Sequence, residues 1–104
     1  MPEVYLEDLC FDAQQAVEKA LKAVLLNQSH AFPYTHDLAD LLTVLEEAGE
    51  VLPDAIKESG RLTRFAIGTR YPGVEEPVIE AEYQEAVDIA QTVVEWAEKH
   101  IGSA

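Results

Sequence analysis

The chain has 104 residues, 48% of them apolar, and its twenty Asp and Glu against seven Lys and Arg give a formal net charge of −13. A chain of this length supports one domain around a single core, so residues 1–104 are expected to form one unit. The acidity repels polyanions and counts against a nucleic-acid-binding surface. No apolar run approaches the roughly 20 residues needed to cross a bilayer, and the lone Cys10 rules out an intrachain disulfide framework.

Met1 to Tyr5 lacks the positive flank and apolar stretch of a signal peptide, so the expected compartment is the cytoplasm. Beyond it, Leu6, Leu9, Ala13, Val17, Ala20, Leu21, Val24 and Leu25 recur at three- and four-residue steps. This spacing predicts a first helix from about Leu6 to Asn27. Ala13, Ala16, Ala20 and Ala23 would let a neighbouring helix approach. Glu18, Lys19 and Lys22 fall on the wetter side, with Glu18 and Lys22 making an i, i+4 pair. Cys10, next to Phe11 and without a basic neighbour, reads as a core or interface thiol and not a nucleophile.

The stretch from Asn27 to Tyr34 reads as a loop, because Pro33 biases Phe32 away from helical dihedrals. Thr35 is the expected N-cap of a second helix, and Asp37 places negative charge near its positive end. Leu38, Leu41, Leu42 and Leu45 form the apolar stripe of that helix, and Gly49 ends it. Pro53 fits the first position of a third helix, with Ile56, Leu62, Phe65 and Ala66 facing inward. Its end is expected near Thr69 or Arg70, before the turn signal Tyr71-Pro72-Gly73. Pro77 leads into a last helix carrying Tyr83, Ala86, Ile89, Ala90, Val93, Ala97 and Ile101, closed by Gly102, with Trp96 as packing surface near its end. Four helices with short connections and no strand pattern predict an all-α bundle, antiparallel between successive helices.

The sequence offers few groups for chemistry. Lys57, Arg61 and Arg64 stand at i, i+4 and i+7, on one face of an α-helix, with Arg70 close behind. Guanidinium suits bidentate phosphate contact, so these cations with Tyr71 are candidates for holding a phosphate or nucleotide. Intrachain ion pairs with the many acids are the competing reading. His36 beside Asp37 could work as an imidazole–carboxylate pair, although adjacent helix-start residues diverge in direction and capping already accounts for the acid. No metal-ligand spacing, Gly-rich phosphate loop or serine-nucleophile motif is present, and neither a metal nor a cofactor is expected.

The segment Phe11 to Leu42 resembles the HEPN pattern, in which a helix of the form AQQAVEKALKA, here Ala13 to Ala23, is followed by a loop and then THDL, here Thr35 to Leu38. Arg70-Tyr71-Pro72 is similar to an arginine-tyrosine-proline element that precedes the final helix in one branch of that family. The resemblance implies a helical module that accompanies minimal nucleotidyltransferases or acts as a ribonuclease, as in toxin–antitoxin pairs. HEPN domains usually begin with a further helix, and only ten residues precede Phe11 here. Uncovered apolar surface would then be buried by association, so a homodimer is expected. HEPN ribonucleases carry arginine followed four to six residues later by histidine; His30, His36 and His100 have no arginine at that distance upstream. The resulting expectation is a non-catalytic, dimeric HEPN module partnering a nucleotidyltransferase. The alternative is a HEPN-type ribonuclease or toxin with an atypical site drawn from His36, Arg70 and Tyr71.

Overall fold

The computed structural model describes residues 6–66 and 78–102. The expected first helix is present as α1, Leu6–Asn27, and buries Cys10, Val17, Leu21, Val24 and Leu25. Its last turn closes with amides of Ser29 and His30 donating to the carbonyls of Leu26 and Leu25, both at 2.9 Å, while Ser29 takes the left-handed φ of 55°. This is the Schellman arrangement, usually built on glycine.

Helix α2, Leu38–Glu47, buries Leu38, Leu41, Leu42 and Leu45. Its N-cap is Asp37, not the expected Thr35: Asp37 Oδ1 accepts from the Ala39 amide at 2.9 Å. Thr35 acts one step earlier, its hydroxyl accepting from the Asp37 amide at 3.0 Å and donating to Asp40 Oδ2 at 2.8 Å. Asp37 satisfies the orphan amide because it stands immediately before the first helical residue, whereas Thr35, two residues earlier, reaches only the amide of the cap itself. Gly49, at φ 96°, ends the helix as expected, with Gly49 and Glu50 amides donating back to Glu46 and Leu45.

The third element departs from the expected α-helix. Only α3, Asp54–Lys57, is α-helical; the chain then tightens into a 3₁₀ helix, Glu58–Phe65, and turns extended at Ala66. Ser59 and Gly60 are poor helix formers, and the buried Ser59 hydroxyl donates to the Ile56 carbonyl at 2.6 Å, competing with the α ladder. Thr63 is drawn across to α2, where its hydroxyl accepts from the Leu38 amide at 2.9 Å. Helix α4, Glu80–Gly102, buries Ala86, Ala90, Val93 and Ala97. At its start Glu82 Oε1 reaches back to the Ile79 amide at 3.1 Å, one half of a capping box.

These four α-helices, with no strand among the described residues, make the all-α bundle. One core joins all of them, from Leu21 and Leu25 on α1 through Leu41 and Leu45 on α2 to Ile56, Leu62 and Val93. Hydrogen bonds fix the helix directions. Glu7 of α1 accepts from the Val78 amide just before α4, whereas at the far end Glu50 receives Gln28 and His100. Helices α1 and α4 therefore run in the same sense. Helix α2 shares it, because residues 28–37 fold back along α1 and bring the His36 carbonyl to Gln14. The antiparallel pairing expected of successive elements fails between α1 and α2, whose connecting residues 28–37 run back along α1; it holds from α2 to residues 57–63 and from the 3₁₀ helix to α4. No helix among the described residues is long and apolar enough to cross a membrane.

Candidate functional site

The 3₁₀ geometry decides where the basic residues go. At three residues per turn, Arg61 and Arg64 share a face, and that face meets α4. Arg61 Nη2 lies 2.6 Å from Glu85 Oε1 and Arg64 Nη2 lies 2.5 Å from Glu82 Oε2. Arg64 also covers the Phe65 ring at 4.5 Å from its centroid. Arginines, glutamates, Leu62 and Phe65 line a cleft of about 210 Å³. Lys57 points instead toward α2, with Nζ 3.7 Å from Glu46 Oε2. The single basic face expected of Lys57, Arg61 and Arg64 is thus split, two cations toward α4 and one toward α2.

Each of these cations has a carboxylate partner, and all three pairs are solvent-exposed. An incoming phosphate would have to displace Glu82 and Glu85 to reach both guanidinium groups. Glu82 is held below the usual carboxylate range, first by the hydrogen bond from the Ile79 amide and then by Arg64, so it stays charged and competes for the site. Arg70 and Tyr71, the remaining members of the sequence-derived site, lie outside the described residues.

His36 has a different partner from the one adjacent to it in sequence. Asp37 is occupied as the cap, and His36 Nδ1 meets the Glu18 carboxylate at 3.1 and 3.2 Å. Glu18 is only 5% exposed, contrary to its expected place on the wetter side of α1. Lys22 Nζ at 2.9 Å and Gln14 Nε2 at 3.2 Å complete its shell. Burial pushes the Glu18 carboxyl up, and the bonds from Lys22, His36 and Gln14 more than offset it, so its pKa lies below the ordinary 4.5. The sequence held a signal for this: Gln14, Glu18, Leu21 and Leu25 follow the four-three-four spacing of the buried stripe.

His36 turns Nδ1 to the Glu18 carboxylate, and its side chain is 52% exposed. Tyr34, almost fully exposed, stands edge-on to the imidazole at 5.9 Å. A second imidazole, His100, lies at the opposite end of the bundle, stacked on Trp96 and bonded to Glu50 Oε2 at 3.0 Å. It ties α4 to the loop after α2. Cys10 is fully buried, and burial pushes its thiol up, as suits a core residue. Among the described residues no group of His, Cys, Asp and Glu could hold a metal ion.

No curated protein and no solved structure matches the chain. A family model described as HEPN domain matches residues 2–100, nearly the whole chain, in accord with the helical bundle and with the resemblance carried by Ala13 to Ala23 and Thr35 to Leu38. The chain belongs to the HEPN family.

Proposed function

We propose that this chain is a non-catalytic HEPN module that works by association, pairing with a second copy and serving a minimal nucleotidyltransferase as its partner subunit in the cytoplasm. The observation that carries this reading is the engagement of Lys57, Arg61 and Arg64 by Glu46, Glu85 and Glu82, which takes up the cations a scissile phosphate would need. The chain also lacks an arginine four to six residues before any of its histidines. Leu26 and Val51, 66% and 90% exposed, supply apolar surface for a second copy near the end of the bundle where Gln28 meets Glu50. Co-purification of the tagged chain from its native cells, with mass spectrometry, should recover a nucleotidyltransferase subunit; repeated recovery without one overturns the partner assignment. Sedimentation equilibrium should show a monomer–dimer equilibrium, and a monomer at every concentration overturns the pairing.

A second reading is favoured by the Glu18–His36 pair, in which a buried carboxylate orients an outward-facing imidazole. On that reading the chain is a ribonuclease with an atypical site drawn from His36, Arg70 and Tyr71. Total RNA incubated with pure protein discriminates the two. Cleavage that disappears in both His36→Ala and Arg70→Ala variants, with helicity unchanged, would replace the association reading by the enzymatic one.

A further inference from the structure

Helices α1 and α4 run side by side, and an open groove of about 500 Å³ lies between them. Its floor is small: Ala13 and Ala90 are buried, and Ala16 is half-buried beside them. Leu9, Val87 and Val94 form half-buried apolar walls. Helix axes pack about 8–10 Å apart, and the closest approach needs side chains of alanine size at the contact. The groove therefore has the small-residue floor and apolar walls that suit a helix seat.

Its rim is acidic. Asp12 on α1 and Glu95 and Glu98 on α4 border the groove, all exposed. Asp12 and Glu98 make no hydrogen bond or ion pair among the described residues, and Glu95 accepts only from Gln91 Nε2 at 3.2 Å. On the opposite flank of the same helix, Glu82 and Glu85 are each matched by an arginine. Among the described residues the carboxylates of the groove rim have no cationic partner.

We propose that the α1–α4 groove seats an amphipathic helix of a partner protein, apolar residues on the alanine floor and Lys or Arg at its edges against Asp12, Glu95 and Glu98. This rests on the association reading and adds the chemistry of the partner. A second copy of the chain fits poorly here. A two-fold contact would set each acidic rim against its twin, between subunits that each carry a charge of −13. Pairing of copies belongs to another face of the bundle.

The test uses two labelled synthetic helical peptides with the same leucine stripe, one edged with Lys and Arg, the other with Glu, and fluorescence anisotropy against the full chain. The basic peptide should bind, its affinity falling about tenfold from low to high salt, and the acidic one should not. Ala16→Trp should abolish binding by filling the floor. The exposed triple variant Asp12→Asn, Glu95→Gln, Glu98→Gln should weaken it about tenfold with thermal unfolding unchanged, which guards against a misfolded Ala16→Trp. No binding of the basic peptide, equal binding of both peptides, or binding indifferent to both sets of changes overturns the proposal. So does loss of a sedimenting dimer in Ala16→Trp, because it would seat a second copy in the groove. Recovery of a nucleotidyltransferase with wild type and Ala16→Trp alike would sink the groove and keep the partner reading. Peptide binding without any nucleotidyltransferase recovered would do the reverse.

Discussion

Helix α4 has two flanks that treat the same acid-rich composition in opposite ways. Toward the 3₁₀ helix its glutamates meet Arg61 and Arg64, and the buried side chains of Leu62 and Phe65 leave only a cleft of about 210 Å³ beneath them. Toward α1 its glutamates face solvent, and the apolar space beneath them stays open. Where this chain neutralises its own carboxylates, buried core side chains narrow the space beneath them; where it does not, apolar surface and charge are left together. The two flanks should therefore respond very differently to truncation. Leu62→Ala, on the closed flank, should cost about 2–5 kcal/mol of unfolding free energy in urea titration. Val94→Ala, on the open flank, should cost about 0.5–1 kcal/mol. Comparable losses would mean that the groove is as well packed as the seam, and the contrast would collapse.

The parts of this arrangement that depend on local spacing were legible in the sequence. The apolar steps from Leu6 to Leu25, the leucine stripe of α2 and the stop at Gly49 each follow from one stretch of chain. The 3₁₀ helix was legible only in the weak helix formers Ser59 and Gly60, because its tightening also comes with Thr63 reaching the Leu38 amide, a contact between residues far apart in sequence. The partners of Arg61 and Arg64 were hidden for the same reason. An i, i+4, i+7 pattern assumes 3.6 residues per turn, and the change to three per turn turned the arginines toward α4 and separated them from Lys57. The candidate groove was half visible, since Ala13 and Ala16 marked α1 as approachable but nothing marked α4 as the helix running beside it in the same sense.

Glu18 supplies a third way of placing an acid, inside the fold with its donors, and sharpens the contrast between the flanks. Its pKa lies below the ordinary 4.5 in the folded chain, so its contribution is fully present above that value and is lost as pH falls through the lower folded value. Glu18→Gln should destabilise by about 1.5–3 kcal/mol near neutral pH, the worth of a hydrogen bond to a charged group. The difference in unfolding free energy between wild type and variant should shrink as the pH is lowered below 4.5 and vanish once it passes the folded value. A constant offset for Glu18→Gln across this range would mean that the variant acts through packing rather than charge.

The smallest effect is expected at the seam itself. The Arg61 and Glu85 side chains are 58% and 52% exposed, so water screens their attraction even at 2.6 Å. A double-mutant cycle of Arg61→Ala and Glu85→Ala should give a coupling of about 0.2–1 kcal/mol that decreases with added salt. That weak coupling separates what the pair does for stability from what it does for the surface. Arg61→Ala releases a carboxylate on the closed flank, where only the smaller cleft lined by Leu62 and Phe65 lies beneath it. Basic-peptide binding at the groove should therefore stay within about twofold of wild type in this variant. Substantially stronger binding would show that added negative charge anywhere on α4 is enough, and that the apolar floor does not select the site.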